Sequence, residues 1–143
     1  MNIKNKRASF DYEFIDEYDA GIMLVGSEVK SISLGNASIS EAYCSFYNNE
    51  LYIYGMHIAE YQGHNALGTH DPNRHKKLLL TKKELKGIKE LVERKGMSII
   101  PHYLFTKNGK FKLKICIGKG KKLHDKRQSI KEKDLKKNNK YLE

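Results

Sequence analysis

Apolar and polar positions alternate most clearly in "MSIIPHYLFTKNGKFKLKICIGKG". Phe111, Leu113, Ile115 and Ile117 fall on one face of an extended segment, and Lys110, Lys112, Lys114 and Cys116 on the other. That period of two belongs to a half-buried strand. Asn108-Gly109 separates this run from the one before it and suits a type I′ turn, which needs positive φ at both central residues. The segment therefore predicts a hairpin whose lysine row faces solvent or an anion. "EAYCSFYNNELYIYG" predicts a second hairpin. Tyr43, Ser45 and Tyr47 point one way and Cys44 and Phe46 the other; "NNE" turns the chain and Leu51–Tyr54 return. Upstream, Phe10, Tyr12 and Phe14 alternate with polar residues, and "DAG" reads as a turn into a further short run, Ile22–Val25.

The period lengthens to that of a helix in two places. "LTKKELKGIKELVERKG" puts Leu85, Ile88, Leu91 and Val92 on one face. Thr81 and Glu84 have the spacing of a capping box, and Gly96 stands where a left-handed cap is wanted. Gly87, mid-helix, costs about 1 kcal/mol relative to Ala, which implies close packing there. "GSEVKSISLG", bracketed by Gly26 and Gly35, predicts a short helix with Val29, Ile32 and Leu34 on its inner face. Between hairpin and helix, Met56–Lys77 has no long apolar run and reads as a strand stub followed by a long loop. Five or six short antiparallel strands with one good helix and one short helix point to a mainly β fold, a small OB-like β-barrel with appended helices.

The 143 residues fit one domain, with 39% apolar and 31% charged residues. Cys44 and Cys116 form no CxxC pair and read as small buried thiols in a reducing compartment. "MNIKNKRASFDYEF" lacks the apolar stretch of a signal peptide, and nothing approaches a membrane-spanning length, so a cytoplasmic protein without a membrane partner is expected. Charge sharpens the picture. Residues 1–106 carry 13 Lys+Arg and 13 Asp+Glu, whereas residues 107–143 carry 14 and 4, so the whole net charge of +10 lies in the last quarter. A basic end on a neutral body suggests a polyanion partner, nucleic acid before membrane.

Candidate chemistry narrows this further. The histidines (57, 64, 70, 75, 102 and 124) match no metal-ligand spacing, and neither a GxSxG context nor a Walker or dinucleotide glycine pattern occurs. No enzyme activity, metal or cofactor is expected. What remains is basic and aromatic: Arg74 with Lys76 and Lys77, and Lys119, Lys121, Lys122, Lys126 and Arg127, where sequence-independent phosphate contacts are the first expectation. Most of the 14 aromatics lie in strands and read as packing, a minority as base-stacking groups. Beyond Gly120 no apolar stripe develops; residues 123–143 read as a basic tail, disordered when free, while residues 1–122 form the barrel. As a helix, residues 120–143 would span roughly 36 Å at 1.5 Å per residue.

Five motifs, in order, carry a resemblance: "NKRA" (5–8), "DAGIMLVGSEVKSI" (19–32), "DPNRHKKLLL" (71–80), "KGKKLHDKR" (119–127) and "IKEKD" (130–134). Together they resemble the SmpB, or SsrA-binding protein, family over nearly the full chain. Three of the four arginines, Arg7, Arg74 and Arg127, fall inside them. The resemblance implies an OB-like barrel that is not an enzyme. It implies a protein that binds the tRNA-like domain of tmRNA (SsrA RNA) and carries it to stalled ribosomes for trans-translation; a monomer is the default expectation. Matched motif by motif, it places RNA contacts at Asn5, Lys6, Arg7, Asp19, Glu28, Lys30, Arg74, Lys76, Lys77, Leu79, Lys119, Lys121 and Lys122. The tail would act in the ribosomal decoding centre and mRNA channel and become helical there, through His124, Asp125, Lys126, Arg127, Ile130 and Lys131. His124 is expected to stack on a decoding-centre base.

Overall fold

A computed structural model describes residues 3–61 and 70–121. Nine strands and three helices follow one another among them: β1 (Ile3–Lys4), α1 (Ala8–Asp11), β2 (Tyr12–Ile22), α2 (Gly26–Ser33), β3 (Ala37–Ser38), β4 (Tyr43–Tyr47), β5 (Glu50–Tyr54), β6 (His57–Ile58), β7 (Lys76–Leu79), α3 (Lys82–Lys95), β8 (Ser98–Lys107) and β9 (Lys110–Gly120). Seven strands form one antiparallel sheet in the order β1-β8-β9-β2-β7-β5-β4; β3 and β6 pair separately. The sheet curls until β4 lies against β8, which makes the OB-like barrel with appended helices that the sequence predicts.

Both predicted hairpins form. Asn108 and Gly109 each have positive φ, as do Asn48 and Asn49 in the other turn, so both are two-residue turns whose twist matches their strands. Leu113, Ile115 and Ile117 of β9 meet Leu51, Ile53, Leu78 and Leu104 in the core. The α3 helix keeps its expected cap: the Glu84 N–H donates to the Thr81 hydroxyl, the Thr81 N–H donates to the Glu84 carboxylate, and Gly96 closes the helix in the left-handed region. Ile88 is fully buried, and Leu85, Leu91 and Val92 pack on the core beside it.

Four expectations are corrected. First, "DAG" is no turn. β2 runs unbroken from Tyr12 to Ile22, and its irregularity is a bulge between Phe14 and Asp16 that turns Ile15 outward. Gly21 is there because Leu79 of β7 crosses it; a Cβ on Gly21 would lie 3.2 Å from the Leu79 Cβ. Phe10 belongs to α1, not to a strand. Second, the inner face of α2 is Glu28, Ser31 and Ile32, whereas Val29 and Leu34 are exposed. Third, the loop expected to run to Lys77 ends earlier, because β7 begins at Lys76; Cys116 is buried as expected, covered by His102 at 3.7 Å, which meets Phe14 edge-on. Fourth, Gly87 is not tightly packed: its nearest neighbour would be the Tyr18 hydroxyl at 3.6 Å, an ordinary contact.

A methyl group therefore fits at Gly87, and the helix regains the propensity it lacks. Gly87→Ala should stabilise the protein by up to about 1 kcal/mol, read as a higher urea midpoint at unchanged slope.

Candidate nucleic-acid interface

The sequence motifs gather at the two ends of β2. At its Tyr12 end, the Asn5 side chain donates to the Pro101 carbonyl at 3.3 Å and its N–H to His102 O at 2.8 Å, which ties the N-terminal segment to β8. Lys6 and Arg7 are exposed beyond this anchor; Arg7 reaches Asp11 at 3.4 Å and lies over the Phe10 ring. β9 ends beside them. Lys119 pairs across to Glu13, and the Lys121 N–H donates to the Asp11 carbonyl at 2.8 Å. Residues over 110 positions apart thus form one basic end, where the described residues stop. Lys122, His124, Asp125, Lys126, Arg127, Ile130 and Lys131, with the expected tail and its helix, lie outside the described residues, as does His64.

The Ile22 end, roughly 30 Å along the strand at 3.3 Å per residue, is built around a buried ion cluster. Glu28 is 0% exposed. Its Oε1 accepts the Val25 N–H at 2.9 Å and Arg74 Nη2 at 2.6 Å, and its Oε2 accepts Arg74 Nε at 3.3 Å. Arg74 also donates to the carbonyls of Met23 and His75. Lys76 is 0% exposed too; its Nζ donates to the Met56 carbonyl at 3.1 Å and stands 3.9 Å from Glu28 Oε2. Burial works against both charges. For Glu28 it is outweighed by the Arg74 and Val25 hydrogen bonds and the nearby cations, which leave the carboxyl below its ordinary value. For Lys76 burial prevails over Glu28 and lowers the ammonium below its ordinary range. Nearby, His70 holds the strand to the helix. Its Nε2 donates to the Ile58 carbonyl at 2.9 Å, which leaves Nδ1 to accept the Ser27 hydroxyl at 2.7 Å.

Lys76 and Glu28, both expected at the RNA, are buried in this structure. Neither side chain reaches solvent; they hold the loop that carries Arg74. Three signals were missed. The strand β7 hides in "KKLL" because its first inward residue is a lysine. The buried acid could have been suspected from Glu28 standing four residues before Ile32, on the same helical face. The Ser27–His70 link leaves no trace in spacing.

The other expected contacts point outward. Lys30 is exposed, its ammonium over the Tyr61 ring. Lys77 reaches Glu50 at 3.4 Å. Asp19 meets Lys114 at 2.5 Å across the sheet, and that hydrogen bond, opposed by burial, raises the lysine above its ordinary value. Leu79 is 48% exposed and lines a groove of about 330 Å³ with Leu24, Val29, Phe111 and the rim lysines Lys110 and Lys112. Burial pushes both thiols up, Cys116 to about 11. Among the described residues no helix is long and apolar enough to cross a membrane, and no three His, Cys, Asp or Glu side chains gather as a metal site.

The family model described as "SmpB protein" matches residues 2–142. The SsrA-binding protein of Phocaeicola vulgatus is 53% identical over 94% of this chain and 89% of its own length. That of Flavobacterium psychrophilum is 51% identical over 95% and 91%. A solved structure described as "tmRNA-SmpB: a journey to the center of the bacterial ribosome" superposes with a TM-score of 0.68 at 36% identity, covering 85% of each chain.

Glu28→Gln would leave Arg74 and Lys76 without their counter-charge, and breaking a buried pair costs about 3–5 kcal/mol. Urea denaturation should register that loss. Because the Glu28 carboxyl is depressed in the folded state, its contribution is complete above its ordinary value of 4.5 and disappears as pH falls through the lower folded value. The acid limb of the stability profile should therefore flatten in the Gln variant.

Proposed function

Because the chain belongs to the SmpB family, we propose that it binds the tRNA-like domain of tmRNA and delivers it to stalled ribosomes for trans-translation. The observation that carries the reading is the meeting of Lys119 and Lys121 with Lys6 and Arg7 at one end of the barrel. β9, within the basic last quarter of the chain, ends where the N-terminal motif is anchored. Lysines there neutralise phosphate at many orientations, while Arg7 offers the planar fork that fixes one.

In this reading the barrel grips RNA and residues 123–143 work on the ribosome. The Ile22 end contributes Arg74, held in position by Glu28, along with Lys30, Lys77 and the Leu79 groove. Asp19, tied to Lys114, shapes the face between the two ends. The tail enters the decoding centre and the mRNA channel as a helix, with His124 stacking on a base and Asp125, Lys126, Arg127, Ile130 and Lys131 continuing the contact. The protein acts in the cytoplasm as a monomer. Its work is binding and positioning, without catalysis or a cofactor.

A general OB-fold RNA-binding module is the competing reading, and binding separates the two. The tRNA-like domain with its reduced D-arm should bind more tightly than ordinary tRNA at the same salt; equal affinities would sink the specific role. Deleting residues 125–143 should leave that binding largely intact and abolish peptide tagging on stalled ribosomes. His124→Ala should spare RNA affinity and slow tagging.

A further inference from the structure

Four tyrosines stand together on the outward face of β4 and β5. Tyr43 stacks on Tyr54 across the hairpin at 5.4 Å, Tyr54 lies 6.5 Å from Tyr52, and Tyr52 is 6.3 Å from Tyr47. His75 continues the row, 4.4 Å from Tyr54, and Lys77 pairs across the strands with Tyr52. The rings are open to solvent at both ends of the row, with Tyr43 57% and Tyr47 62% exposed. Residues 44, 51 and 53, whose side chains point the other way, fill the core.

The row connects the two basic groups. Tyr43 lines a cleft of about 330 Å³ with Asn5, Arg7 and Asp11. His75, at the other side of Tyr54, directly follows Arg74. From this geometry we infer that the tyrosine row is a base-stacking track for unpaired RNA nucleotides, which run between the Arg7 and Arg74 ends of the barrel. The inference rests on the RNA-binding reading and adds a contact surface to it.

Three observations favour RNA. Stacking needs a ring face and tolerates any base, and tyrosine offers that face with little conformational freedom to lose. Mutual packing at 4.4–6.5 Å already holds the rings in place. Cationic groups flank the row across the strands, so a backbone crossing Tyr43 and Tyr54 finds Arg7 on the β4 side and Lys77, with Arg74 next to His75, on the β7 side, while Tyr52 and Tyr47 extend the stacking surface alongside. On β4 and β5 the exposed large apolar side chains are Tyr43 and Tyr47, with no aliphatic among them; the exposed Leu79 stands on the outward side of β7. Ser45, Asn48 and Asn49 lie around the row.

The test uses the full chain and a labelled single-stranded oligouridylate of about a dozen nucleotides, in the range one such barrel can hold. The chain contains no Trp, so tyrosine emission reports directly on stacking. Wild type should bind with quenched emission. Tyr47→Leu and Tyr54→Leu should each weaken binding by about fivefold or more, while Tyr47→Phe, which keeps the ring, binds like wild type. Tyr47→Thr, a good strand former, serves where Leu lowers the yield of folded protein. Leu or Thr variants that stay folded and bind like wild type, with emission unquenched throughout, overturn the track and leave the row to sheet packing or a protein partner. Binding of the tRNA-like domain is measured in parallel. Its failure in wild type would overturn the proposed function, whereas its success beside a failed oligouridylate arm would overturn the track alone.

Discussion

A carboxylate taken out of water needs a counter-charge, and at Glu28 that requirement organises one end of the barrel. Arg74 supplies two hydrogen bonds and Lys76 a second cation, so charge holds α2 against the entry to β7. Strand alternation does the rest. With Lys76 directed inward to the Met56 carbonyl, Lys77 must face out, Leu78 must enter the core and Leu79 must emerge above Gly21. One buried ion cluster therefore decides which lysine of the pair can meet a phosphate and where the Leu79 groove opens.

The opposite end depends on main-chain bonds. Asn5 and Lys121 are fixed by hydrogen bonds to backbone groups of β8 and α1, which leaves the nearby side chains of Lys6, Arg7 and Lys119 turned outward. The two ends differ accordingly. Long-range salt-sensitive attraction suits the exposed lysines, and fixed orientation suits an arginine clamped by a buried acid. In the function proposed above, the first recruits the RNA and the second sets its angle.

Legibility in the sequence followed how local the determining interaction was. The β8–β9 hairpin could be read because its turn and its alternation lie within a dozen residues. The α3 helix could be read because Thr81, Glu84 and Gly96 state its limits. "DAG" misled because its glycine serves a contact with Leu79, 58 residues further on. The inner face of α2 misled because an acid stands where an apolar residue was sought. The start of β7 misled because its first inward residue, Lys76, is a lysine. For the candidate site, the motifs named segments that the fold brings together, and two of their charged residues, Glu28 and Lys76, are buried.

The sequence by itself determined the strands with clean alternation, the capped helix, the class of barrel and the confinement of net charge to the last quarter. Each is a property of neighbouring residues or of composition, and neither needs a third dimension. Only the tertiary structure decided that Lys76 is buried and Lys77 is not, that Arg7 and Lys121 share one end, and that four tyrosines form a continuous row. Those outcomes depend on which distant groups a side chain meets once water is excluded, and on the register that one buried charge pair imposes on a short strand.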